Sequence, residues 1–349
     1  DVRAAYLGNA AWGLMSGQES VRGQVVLRRT GLMGVPIVNV ENACASSSTA
    51  LHLAWHAVAG GLHDCVVVLG YEKLDHGDRA RKGLAINATM DLGEVADVFG
   101  PGAGQERNVY VDVLAASTAG EGRDPFSREL LAQVAVKNHH HGSLNPCAMR
   151  RAAVTVEEVL DAPAVAGQLT RLMCAPLVDG AACLVLCADG FVRGRRTGVR
   201  IAASVLASGR GDDMRQQFSI GLAARQAYDL AGIGPKDLDL VELYDPTPIS
   251  ELYLYEELGL CDRGEAPRLV RERATWLGGR QPVNTSGGLI ARGHPLGATG
   301  AAQVVELAWQ LEGRCGARQV PGARLAMAHN TGGWVGSDVA ACCIHVLQV

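Results

Sequence analysis

Four short windows of this 349-residue chain combine reactive side chains with small neighbours. In the first, VENACASSSTALHL (residues 40–53), Cys44 follows the mostly apolar run Val35 to Val40 and precedes small residues that open an amphipathic helix. A thiol at a strand-to-helix junction feels the positive end of the helix dipole and the free N–H groups there. Both lower its pKa, and the thiolate is the nucleophile. The plainer reading is an inert core residue, since unpaired cysteine is among the most buried residue types. The window alone leaves both open.

The second window, NTSGGLIARGHPLGATG (residues 284–300), holds glycines at 287, 288, 293, 297 and 300 and one histidine, His294. Such glycine density lets the backbone approach a ligand or another backbone closely, which makes Ser286, Gly287 and Gly288 candidate substrate contacts. Pro295 pushes His294 out of helical geometry, so its ring projects from a loop. A phosphate cradle is excluded, because the window has neither GK[ST] nor GxGxxG. The third window, AMAHNTGGWVG (residues 326–336), runs a strand into His329 and Asn330 and then into Gly332 and Gly333. The fourth, VELYDPTP (residues 241–248), is a strand ending in Tyr244 and Asp245. Each is weak alone; a tyrosine at a strand end is usually packing.

The elements that must position these residues alternate. Thr49–Ala59 places Leu51, Trp55 and Val58 on one helical face, and Cys65 to Leu69 is a fully apolar strand ended by Gly70. Apolar strands in β-α-β order indicate a sheet buried on both faces, hence an α/β fold. Residues 75–125 are rich in Gly, Asp and Asn and read as a loop excursion, within an insertion spanning 75–165. The segment RELLAQVAVKNHHHGSLNP is a helix stopped by a Gly/Asn/Pro turn. The pattern then restarts: strand, polar turn, small-residue helix start, apolar helix, strand. A weak internal duplication follows, with an N-terminal half of 1–195 and a C-terminal half of 196–349.

Composition narrows the classes. A formal net charge of -4 with 19% charged residues leaves no basic stripe for phosphates, which excludes a nucleic-acid binder. Apolar stretches of about 8–10 residues are too short to span a bilayer. The opening DVRAAYLGNA reads as a strand in progress rather than a leader. Ten scattered cysteines with no CxxC pair predict buried, reduced thiols in a cytoplasmic protein. The run His139–His140–His141 cannot aim three ligands at one metal from a helix or strand, and reads as a surface helix end.

Together, VENACASSSTALHLA, NTSGGLIARGHPLGATGAAQVVE and AHNTGG, in this order, resemble the thiolase superfamily. The nearest branch is that of sterol-carrier-protein-x and the archaeal acetoacetyl-CoA thiolases. The resemblance implies a five-layered αβαβα fold of two similar halves, a homodimer, and a coenzyme A thioester as substrate with no separate cofactor. A small OB-fold, zinc-ribbon partner protein accompanies some branch members. A strand and helix are expected ahead of DVRAAYLGNA. By position, Cys44 matches the acyl-accepting cysteine and His294 the histidine that activates it or holds the thioester oxygen. Asn330, Gly332 and Gly333 match the loop beside the nucleophile, and His329 stands where many thiolases carry a second catalytic cysteine.

Two departures bear on chemistry. The branch carries His-Asp-Cys-Phe where this chain has Tyr244-Asp245-Pro246-Thr247, and proline moves no proton. The branch also has a histidine in the stretch matching Ser117 to Gly122, which holds none here. Acyl transfer to Cys44 stays chemically open while the usual carbanion base is missing. The expected function is therefore a thiolase-like acyltransferase working through an acyl-cysteine. The alternatives are an aldolase of the steroid side-chain type using Tyr244, or a catalytically reduced acyl-CoA-binding or scaffold subunit.

Overall fold

The computed structural model describes the chain except for residues 76, 78, 101–108, 117–125, 193–197, 211–218 and 337. The first half opens with β1 (Ala4–Gly8), the short helices α1 (Trp12–Ser16) and α2 (Arg22–Leu27), and β2 (Ile37–Val40). A 3-10 turn over Ala43–Ala45 leads into α3 (Ser46–Ala59) and then β3 (Cys65–Glu72). Next come α4 (Arg79–Asn87), α5 (Leu92–Phe99), α6 (Tyr110–Ala116), α7 (Arg128–Ser143) and α8 (Val156–Asp161). A small hairpin of β4 (Ala164–Ala166) and β5 (Leu169–Thr170) precedes β6 (Gly180–Cys187). The second half runs β7 (Arg200–Ser208), α9 (Ser219–Ala231), β8 (Leu240–Glu242), α10 (Pro248–Glu257) and α11 (Ala266–Arg271). It closes with α12 (Gly288–Arg292), α13 (Thr299–Leu311), β9 (Leu325–Val335) and β10 (Asp338–Gln348).

Two four-stranded sheets form, in the orders β2-β1-β3-β6 and β7-β10-β9-β8. In the first, β1 lies parallel to β2 and β3 while β6 runs antiparallel to β3. In the second, β8 is parallel to β9, and β10 is antiparallel to both β9 and β7. Side chains alternate across each strand, so every strand feeds two layers. Ala5 and Leu7 of β1 pack with Leu27 of α2 on the outside, whereas Ala4 and Tyr6 pack inward with Ala50, Leu51 and Ala54 of α3. In the second sheet Ala326 and Ala328 join that central layer with Val304 and Leu307 of α13. Met327, Cys342 and Ile344 face outward onto Ala227 of α9 and Leu252 and Tyr255 of α10. The result is the expected order of layers, α-β-α-β-α.

The central layer is thin because its residues are small. A Cβ on Gly70 would lie 2.7 Å from Ser47 Cβ, and one on Gly300 would overlap Ser48 Oγ, so α3, β3 and α13 touch nearly backbone to backbone. This also explains why β3 continues through Gly70 to Glu72 instead of ending there.

Two further expectations change. Residues 75–125 include the helices α4, α5 and α6 rather than one long loop. Their polar residues act as caps, as when Asp91 accepts from the Gly93 and Glu94 amides, and their apolar ones (Ile86, Val95, Tyr110) are buried. The stretch Ser117 to Gly122 falls outside the described residues. The histidine run is not a surface helix end, since His139 and His141 are buried. His139 Nε2 meets the Leu172 carbonyl at 3.0 Å; His141 Nδ1 meets that of Asn284 at 3.0 Å, and its Nε2 accepts from the Leu277 amide. Beside them the buried Lys137 pairs with Glu251, which also takes bonds from Asn138 and Tyr255. Among the described residues no helix is long and apolar enough to cross a membrane, and no group of three His, Cys, Asp or Glu could hold a metal ion.

Candidate active site

The chain leaves β2 and turns sharply at Ala43, whose φ of 48° lies in the left-handed region that costs a non-glycine residue about 1–2 kcal/mol. Local bonds hold this elbow. Ser46 Oγ donates to the Ala43 carbonyl at 2.6 Å and accepts from the Asn42 amide at 3.0 Å, while the Glu41 carboxylate accepts from the Ala43 amide. The turn presents Cys44 at the head of α3, 1% exposed, within a cluster that includes Met15, Leu74, Ile86, Met90, Tyr110, Tyr244 and Leu296.

Tyr244 follows β8 and is held by its neighbours. Asn284 Oδ1 accepts from the Leu243 amide at 2.9 Å, and the Asp245 carboxylate accepts from the Leu289 amide and from Asn138 Nδ2. His294 is anchored by its own amide on the Pro176 carbonyl and by Nδ1 against Thr299 Oγ1 at 2.8 Å. Its Nε2 lies 3.1 Å from the Tyr244 hydroxyl, with the rings edge to face. The same hydroxyl stands 3.2 Å from the Tyr110 hydroxyl, in the buried cluster that also holds Cys44. Cys44, Tyr244 and His294, predicted from three distant windows, therefore meet at one point. Tyr110 and Thr299 join them without having been foreseen. Thr299 sits five residues after His294 in the glycine-rich window and was findable there; Tyr110 lies in the stretch read as loop and carried no signal.

Burial sets the protonation. It pushes the Cys44 thiol up to about 12; the nearby Tyr244 hydroxyl pulls back and the Glu72 charge adds to the rise. The lowering expected from a helix N-terminus is thus outweighed. Burial, with the Arg292 charge behind it, brings His294 down to about 3, and burial lifts Tyr244 well above the phenol range. At neutral pH the site rests as thiol, phenol and neutral imidazole. Glu72 fastens its floor by accepting from the amides of Ala10, Ala11 and Gly297.

The other predicted residues divide by strand register. Asn330 pairs with Cys343, which packs on Ala45 in the central layer; His329 pairs with Ile344, which faces the outer helices. Alternation therefore turns Asn330 toward the elbow and His329 away from it. Among the described residues neither the Asn330 amide nor the His329 ring nitrogens have a hydrogen-bond partner. Gly332 lies against the elbow, where a Cβ would overlap the Asn42 carbonyl oxygen, and a Cβ on Gly333 would press on the Thr89 carbonyl. Ser286, Gly287 and Gly288 make contacts within the protein. Ser286 bonds Glu242 through both its amide and its hydroxyl, and Cβ atoms on the two glycines would meet Gly142 and Asp245.

A buried thiol, phenol and imidazole share one cluster of this α/β fold. Residues 1–190 match the family described as thiolase, N-terminal domain, and residues 204–344 match thiolase C-terminal domain-like. The chain belongs to the thiolase family. The chain is 38% identical over 346 residues to acetyl-CoA acetyltransferase of Methanothermobacter thermautotrophicus, covering 97% of this chain and 87% of that one. It is 36% identical over 338 residues to sterol carrier protein 2 of Rattus norvegicus, covering 93% of this chain and 61% of the rat protein. The chain thus spans under two thirds of that relative's length. The solved structure of an Ltp2-ChsH2(DUF35) aldolase superposes with a TM-score of 0.74 at 21% identity, covering 100% of this chain and 87% of the other, a likeness of fold.

Proposed function

We propose that this chain is an acyltransferase that takes an acyl group from a coenzyme A or carrier-protein thioester onto Cys44 and then makes or breaks a carbon–carbon bond. The Tyr244 hydroxyl, 3.1 Å from His294 Nε2 and in the same buried cluster as Cys44, carries this reading. As Sγ bonds to the thioester carbon, the thiol proton passes to the Tyr244 oxygen and the phenolic proton passes to His294 Nε2. The departing thiolate takes that proton from His294, leaving a neutral acyl-Cys44. The Asn330 amide, unpartnered among the described residues and turned toward the elbow, supplies a donor for the carbonyl oxygen as it gains charge. The reaction draws its acyl group from the thioester and calls on no further cofactor.

Incubation with acetyl-CoA or propionyl-CoA followed by peptide mass spectrometry tests the reading. An acyl adduct on Cys44, lost in Cys44→Ala, is the expected result; a Cys44→Ala protein as active as the wild type would refute it. A second reading has its own support: Tyr244 is held protonated by burial and suits the protonation of an alkoxide in aldol chemistry. That reading expects turnover without an adduct. A homodimer is also proposed, supported by the open edge of β2, where Val38 is exposed, and is tested by sedimentation velocity. The likeness in fold to the aldolase that pairs Ltp2 with ChsH2(DUF35) supports a partner protein of that kind. A cytoplasmic setting fits ten cysteines that form no disulfide.

A further inference from the structure

The first sheet brings two thiols together at the end of β3 opposite Glu72. Cys65 opens β3 and Cys187 closes β6, and the two are register partners across that antiparallel pair, with their sulfurs 3.4 Å apart. The Ala188 amide donates to the Asp64 carbonyl, so the hydrogen-bonded pair is Asp64 with Ala188, and the next pair, Cys65 with Cys187, has no ladder bond. The Cys65 carbonyl turns the other way and accepts from the Arg3 amide at 2.8 Å. In a pair of this kind the Cα atoms approach to about 4.5 Å, inside the range of about 4.4–6.8 Å that a disulfide spans. Alternation puts both thiols on the outer face of the sheet, since Val66, Val68, Leu184 and Leu186 take the inner one.

We propose that Cys65 and Cys187 are a redox-active dithiol that a small-molecule disulfide, such as oxidised glutathione, converts reversibly to a cross-strand disulfide. Cys65 is 4% exposed, whereas Cys187 is half-buried on an edge strand, so Cys187 meets the oxidant first. Its thiolate attacks one sulfur of the glutathione disulfide, whose S–S bond breaks and releases one glutathione thiol. Cys65, already in contact, then attacks the Cys187 sulfur and displaces the second glutathione. Two thiol protons and two electrons leave the protein, and two glutathione thiols form. The new bond closes a loop whose ends lie 122 residues apart and which carries helices α4 to α8. It therefore constrains the unfolded chain more than a local bridge would. Cys183 supplies an internal comparison. It lies on the same face of β6 and is exposed, but its register partner is Leu69, so no thiol stands opposite to displace a glutathione from it.

The test treats the folded, reduced protein with oxidised glutathione, quenches in acid, blocks the remaining thiols in urea and maps the peptides without reductant. The expected result is a linked Cys65–Cys187 peptide pair, two hydrogens lighter than its thiols and released by dithiothreitol, beside a lasting glutathione adduct on Cys183. The melting temperature of the linked protein is expected to rise by about 3–6 °C over the reduced form. In Cys65→Ser the expected product is a glutathione that stays on Cys187, and Cys187→Ser is expected to lose both the link and the rise. A wild-type protein in which Cys187 keeps its glutathione beside a Cys65 thiol, or in which neither of the two reacts, overturns the proposal. A linked protein that melts no higher than the reduced one overturns the constraint assigned to the bond.

Discussion

The hydroxyl of Tyr244 stands 3.1 Å from Nε2 of His294, so a proton can pass from phenol to imidazole without either ring moving. Thr299 holds the far nitrogen at 2.8 Å, which fixes the ring plane. Replacing Tyr244 by Phe interrupts this path while keeping the ring's packing. The expected loss in turnover is about 10²–10⁴-fold, the range for a positioned acid–base group, with a melting temperature near that of the wild type. Steady-state kinetics beside thermal melts check it.

The elbow depends on the absence of a side chain at Gly332. In Gly332→Ala the new Cβ would overlap the Asn42 carbonyl oxygen, a backbone atom that cannot swing aside. The expected outcome is displacement of Cys44 and at least a tenfold fall in its acylation, since misplacement of reacting groups by about 1 Å costs on the order of 10²-fold. Intact-mass kinetics read the effect directly.

Stability should fall on both sides of a plateau in pH. His141, His294, His329 and His345 are each brought down to about 3 by burial, so the unfolded chain binds more protons below the ordinary histidine pKa. Their contribution is complete above about pH 6.5 and is lost as pH falls toward 3, at roughly 1.4 kcal/mol per pH unit for each. Cys44, Cys315 and Cys343 are pushed up to about 12, chiefly by burial. Their contribution is complete below about pH 8.5 and is lost as pH rises toward 12. In urea midpoints from pH 4 to 10 these histidine and cysteine contributions should therefore be constant between about 6.5 and 8.5 and fall away outside that window.

Lys137 and Glu251 pair in the core under Tyr244 and Asp245. Lys137→Met leaves the carboxylate buried with Asn138, Tyr255 and Asn284 as its remaining donors and no counter-charge. The expected cost is about 3–5 kcal/mol, measured by urea denaturation.

What the sequence disclosed and what it hid follow from distance along the chain. Cys44 and His294 were legible because each sits in a local pattern of small residues, and those patterns exist to let backbones touch. Glycine at 300 and serine at 48 are signs of the same contact. The layers were legible because strand and helix periodicities differ. Tyr110 was hidden because its partner is 134 residues away and its helix is too short to show a period. The acid–base state of Cys44 was misread for a related reason. Dipole and cap effects are local and visible in a string of residues, whereas burial is the sum of everything that folds over the site.

The pairing of β9 with β10 has a consequence for how such a site can change. His329 and Asn330 are adjacent, and a strand shows alternate residues to opposite sides. One residue inserted between Leu325 and His329, or a bulge there, would deliver an imidazole to the nucleophile and withdraw the amide into the outer layer. No catalytic side chain need be substituted for this to happen. The chain thus carries, one position out of phase with Asn330, an imidazole kept from Cys44 by hydrogen-bond register.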